Sequence, residues 1–236
     1  MSAAAEQPAA TGRPDPAGAV RHPRFAPRRT RPGGTWWSRA VLRAVEEAAY
    51  SEADLRAGRA IARSGGVGGI TVSRGSAVAA VEHDGDLHTV TVTMPVLHDA
   101  AADTLVELVA SGSGHVGALM TGDLPHALVE SIEEAGVELL PYGGELGSEC
   151  TCEGWLDPCP HALAVLTQVA WLVQADPFVL THLRGLPRED VLARLHALTA
   201  GAAQASDEED ELGDDLLVAE AAVLKAAALL QELEEG

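Results

Sequence analysis

Every cysteine of this chain falls between positions 150 and 159, and a histidine follows closely: Cys150-Thr-Cys152, six residues, then Cys159-Pro-His161. Thiolate and imidazole are donors that divalent zinc prefers, and four of them close a tetrahedral shell. On an extended segment Cys150 and Cys152 face the same way, about 6–7 Å apart, and a slight bend lets both grip one ion. Asp157-Pro158 reads as a helix start, with Asp as cap and Pro where a missing N–H costs nothing. A helix over 158–174 would then carry Cys159 and His161 in its first turn. Orphan N–H groups and the positive dipole end favour thiolate there. Trp155, in the intervening loop, is expected to shield the site from water.

Three thiolates and a neutral imidazole leave Zn²⁺ with one net negative charge, which N–H groups donating to sulfur can offset. Four protein ligands leave no position for water, so one structural Zn²⁺ is expected and no catalysis. A nucleophilic Cys–His pair lacks a third orienting group, and the Cys-x-x-Cys spacing of redox sites is absent. The other histidines considered (His83, His88, His98, His115, His126, His182 and His196) are scattered, and read as surface or core residues. No apolar stretch behind a basic start suggests a signal peptide, and no apolar run suggests a membrane span, so a cytoplasmic location with reduced thiols is expected. Three cysteines cannot all pair within one chain, which further disfavours disulfides.

Charge is distributed unevenly. The net charge is −19, yet residues 1–43 hold eight arginines against two acidic side chains. Residues 75–183, which include the cysteine cluster, hold sixteen acidic side chains and neither lysine nor arginine. That interval repels a polyphosphate backbone.

Around the cluster, residues 1–32 lack apolar periodicity and read as a disordered basic arm. Trp37, Ala40, Val41, Ala44, Val45 and Ala48 form the stripe of an amphipathic helix over 37–50. Three strands follow, at 69–73, 76–81 and 87–94, with Asp84-Gly85 as the hairpin turn between the last two. Helices are expected at 99–110, 116–120 and 125–135 before the cluster, and at 162–174, 178–184 and 188–199 after it. Residues 200–213 read as a linker, and 214–234 as an acidic amphipathic helix.

The fold class is therefore α+β: a small antiparallel meander with helices, a compact strand–loop–helix module that binds zinc, and an acidic C-terminal helix. The expected domains are a basic arm (1–32), an α+β domain (33–141), the zinc module with its following helices (142–198), and an acidic linker and tail helix (199–236).

The spacing Cys-x-Cys-(x)₆-Cys-x-His resembles the SWIM-type zinc finger. Gly34-Thr35-Trp36-Trp37, Gly58-Arg59 through Gly65, Gly122-Asp123-Leu124-Pro125, Asp176-Pro177-Phe178 and Leu183-Arg184-Gly185 are similar to landmarks of bacterial SWIM-finger proteins. The resemblance implies that Cys150, Cys152, Cys159 and His161 are the zinc ligands. It also implies binding to DNA or protein, and partnership with a Swi/Snf-family helicase-like ATPase. Pro160 stands where many members have Lys, so the resemblance supports zinc and not DNA contact by the finger. The leading expectation is a non-enzymatic adaptor that docks on a protein. The alternative is nucleic-acid binding by the arginines of the N-terminal arm, with Arg56, Arg59, Arg63 and Arg74.

Overall fold

The computed structural model describes residues 18–29, 34–112 and 114–201. The chain divides into two compact units, Met1–Val191 and Leu192–Gly236. Of the second, residues 192–201 are helical, and the expected tail helix lies outside the described residues.

The first helix, α1 (Trp36–Ala48), is capped by Thr35, whose hydroxyl accepts from the Ser38 N–H. Its stripe of Trp37, Val41, Ala44 and Val45 is buried as the periodicity predicts. Helix α2 (Glu52–Ser64) starts the same way, with Ser51 accepting from the Asp54 N–H. Both lie against α6 (Pro160–Ala175), the central helix of the core, whose residues 162–173 are all buried. Two polar anchors fix these packings. The Trp37 indole N–H donates to Val173 O at 3.0 Å, and the buried Gln168 amide donates to Ala62 O at 2.8 Å. A buried donor without such a partner would cost about 1–3 kcal/mol.

The sheet is antiparallel and runs in chain order: β1 (Val20–His22), β2 (Ile70–Ser73), β3 (Ser76–His83), β4 (Asp86–Thr93) and β5 (Gly147–Cys150). The three expected strands are its centre. Asp84 and Gly85 both have positive φ, 54° and 89°, as a two-residue turn matching strand twist requires. That turn sets the register, opposing His83 to Asp86 and Val81 to His88. Ala77, Ala79, Val81, Val90 and Val92 make the buried face, which α6 covers.

Two expectations need correction. Residues 18–29 are not a disordered arm, because Val20–His22 completes the sheet along the free edge of β2. The proline-interrupted stretch behind it is held by side chains. Arg24 Nε donates to Gly65 O at 2.6 Å, and the Phe25 ring meets the edge of Trp171 at 5.5 Å. Nor does a boundary fall at 141/142. Strand β5 pairs with β4, and α6 fills the core beneath α1 and α2.

Helices α3 (Asp99–Ser111), α4 (His115–Met120), α5 (His126–Glu134) and α7 (Phe178–Leu183) fall within one or two residues of their expected places, and residues 188–201 are helical. A 3-10 turn, Gly143–Glu145, leads into β5. Arg184, 2% exposed, ties that turn down: its guanidinium meets Glu145 Oε2 at 2.8 Å and donates to the carbonyls of Leu139, Leu140 and Pro95. With its donors satisfied in this way, the buried charge is tolerated, whereas deleting either partner would cost about 3–5 kcal/mol.

Candidate metal centre

Strand β5 ends at Cys150, opposite Val90 on the face that α6 covers. The chain then bends, and Cys152 follows in the turn. Cys159 is the N-cap of α6 and His161 its second residue. The helix therefore begins two residues later than Asp157-Pro158 suggests. The Asp157 carboxylate accepts from the Ser148 hydroxyl, bracing the loop against β5 instead of capping the helix. Trp155 does not shield the site either: it is 83% exposed.

The four donor atoms lie within 4.8 Å of one another. His161 Nδ1 stands 3.8 Å from Cys150 Sγ and 3.9 Å from Cys159 Sγ. A tetrahedral zinc shell, with bonds of about 2.0–2.3 Å, separates neighbouring donors by about 3.5–3.8 Å. The arrangement fits such an ion with little movement. Each sulfur also has a backbone donor: Cys152 N–H points at Cys150 Sγ (3.5 Å), Gly154 N–H serves Cys152, and Ala162 N–H serves Cys159. These donors offset the negative charge that three thiolates bring.

Without a cation, Cys150 and Cys159 hold their protons. Burial pushes the Cys150 thiol up to about 12, helped by the neighbouring sulfurs. Burial likewise raises Cys159. At Cys152 burial also pushes upward, but the Gly154 N–H and the two neighbouring thiols outweigh it and the net shift is down. His161 is lowered by burial and by His88 and His83 beside it, which keeps its imidazole neutral and available as a ligand. A divalent ion would supply the positive charge that makes all three thiolates favourable.

Two histidines that the sequence reading left among the scattered ones belong to this centre. His161 Nε2 lies 3.2 Å from His83 Nδ1, and His88 stacks on the His161 ring at 4.2 Å. With Nδ1 facing sulfur, Nε2–H donates to His83, which fixes the tautomer and the ring plane. The hairpin register is the signal that could have found them, since it sets His83 and His88 on the same face at one end of the sheet.

Residues 134–170 match the SWIM zinc finger. The segment carries a SWIM-type zinc-finger-like Cys/His cluster able to coordinate a metal ion. The SWIM-like segment runs from the end of α5 through β5 and most of α6, so it includes the strand, the loop and the helix that hold the donors. The chain is also similar to the uncharacterized protein Rv2102 of Mycobacterium tuberculosis, at 28% identity over 185 residues. That match covers 77% of this chain and 66% of the relative, just under two thirds of its length. No solved structure matches the chain. Among the described residues, no helix is long and apolar enough to cross a membrane.

Proposed function

We propose that Cys150, Cys152, Cys159 and His161 hold one structural Zn²⁺, and that the chain is a non-enzymatic adaptor working in the cytoplasm. Closed four-donor shells stabilise local structure, with zinc contributing on the order of 10–16 kcal/mol in finger peptides. What such a closure would stabilise here is the loop between the ligand pairs. That loop presents Trp155, 83% exposed, 6.0 Å from the ring of Tyr50, which is 72% exposed. This outward-facing aromatic pair is the observation that carries the reading, because exposed Trp and Tyr are the residue types that anchor protein interfaces.

The proposed partner is a helicase-like ATPase of the Swi/Snf type. Nucleic-acid binding by the N-terminal arm is the weaker reading, because two of its arginines are spent on the body. Arg24 bonds Gly65 O, and Arg28 lies over the Phe25 and Trp171 rings. Co-expression with the Swi/Snf-type ATPase of the same genome, followed by affinity capture, tests the adaptor reading. Wild type should retain the ATPase, and a Tyr50→Ala, Trp155→Ala double variant should lose it with zinc content unchanged. Equal retention by both chains would overturn this assignment of the surface, and failure of wild type to retain the ATPase would overturn the proposed partner.

A further inference from the structure

Away from the metal centre, α1, α2 and α6 line a solvent-open cavity of about 360 Å³. Arg39 and Arg43 line it from α1, and Arg59 and Arg63 from α2. Each pair is spaced four residues apart, so two arginine ladders on neighbouring helices face one hollow. Like charges at that spacing disfavour each helix. Thr167, Trp171 and Gln174 of α6 also line it. Among the described residues Glu46 is the one carboxylate in the lining, and it pairs with Arg59. Among the described residues, Arg39, Arg43 and Arg63 have no ion-pair partner.

We infer that this cavity binds a small molecule through its phosphate groups. Guanidinium forks match phosphate oxygens two at a time, and three unpaired ones around a hollow give a strong local positive potential. The positive surface continues past Arg63 to Arg28 and Arg29, and the cavity is where guanidinium groups from two helices converge on one compact volume. The volume is also that of a small-molecule site. Arg28, whose guanidinium sits 5.1 Å from the Trp171 ring, adds positive charge beside the same wall. The site uses neither the metal nor the aromatic pair, so it stands or falls independently of the adaptor reading.

Calorimetric titration of the full-length, zinc-loaded chain with pyrophosphate and with ADP tests it. Saturable one-to-one binding of at least one probe, tighter than roughly 1 mM, is expected. Equal affinities would place recognition in the phosphates alone, and tighter ADP binding would show that the organic part of a phosphate ester adds to it. Arg43→Gln and Arg63→Gln should each weaken binding at least about tenfold. Arg56→Gln, on α2 but outside the cavity lining, should leave affinity unchanged, and circular dichroism should show all three variants folded. Absence of saturable binding by either probe would overturn the proposal. So would equal loss in Arg56→Gln, which would mark diffuse surface attraction. Tighter, steeply salt-dependent binding of a short single-stranded DNA would overturn it as well, assigning the arginines to a polymer.

Discussion

Nδ1 of His161 faces sulfur, so the orientation of the ring depends on what Nε2 meets, and that is His83 at 3.2 Å. Beyond it His83 Nε2 lies 3.7 Å from the exposed Asp84 carboxylate. Partners of this kind typically contribute 10–100-fold to metal affinity. His83→Ala should therefore weaken zinc binding by about one to two orders of magnitude in competition with a chromophoric chelator. Unchanged affinity would show the contact to be incidental. The thiols set the pH dependence of the same equilibrium. Cys150, near 12 without metal, and Cys159, also raised, must lose protons as zinc enters. Binding should release protons into weakly buffered solution, and apparent affinity should fall as pH is lowered.

At the scale of elements, the first turn of α6 decides whether Cys159 and His161 reach the cluster, and α2 crosses that turn at Gly58. A Cβ placed there would lie 2.6 Å from Leu163 Cβ and 2.9 Å from Pro160 O, and the latter is backbone that cannot yield cheaply. Gly58→Ala should therefore cost about 1–3 kcal/mol in denaturant unfolding and weaken zinc binding as well. A variant as stable as wild type would mean that the two helices adjust freely. The same elements show what the sequence makes legible. The four donors sit within twelve residues, so local spacing alone reveals them. His83 lies 78 residues from His161, and only the pairing of β3 with β4 and the packing of α6 bring the rings together. Helix α2 carries its signal locally, Ser51 followed by Asp54 three residues on. Strand β1 has three residues, between Gly18-Ala19 and Pro23-Arg24, too short for alternation to register. Its place is set by the open edge of β2, which is a property of the folded sheet.

For the whole molecule, stability should depend on pH through histidines held neutral by the fold. Burial lowers His182 from 6.5, and its Nε2 has no hydrogen-bond partner among the described residues. Burial likewise lowers His22, opposed by Asp176. A depressed folded-state value means that the unfolded chain takes up protons first. The stability these groups give is complete above 6.5 and is lost as pH falls through their lower folded values. Denaturant midpoints should drop from about pH 7.5 to about pH 5.5, and His182→Gln should flatten part of that slope. An identical slope in the variant would remove His182 from the account.

The central claim concerns the metal, and elemental analysis of the freshly purified full-length chain tests it most directly. One zinc per chain is expected, falling to near zero in Cys159→Ser, whose parent side chain is 4% exposed at the cap of α6. Metal-free protein from zinc-replete cells, or full zinc stoichiometry in the serine variant, would contradict it.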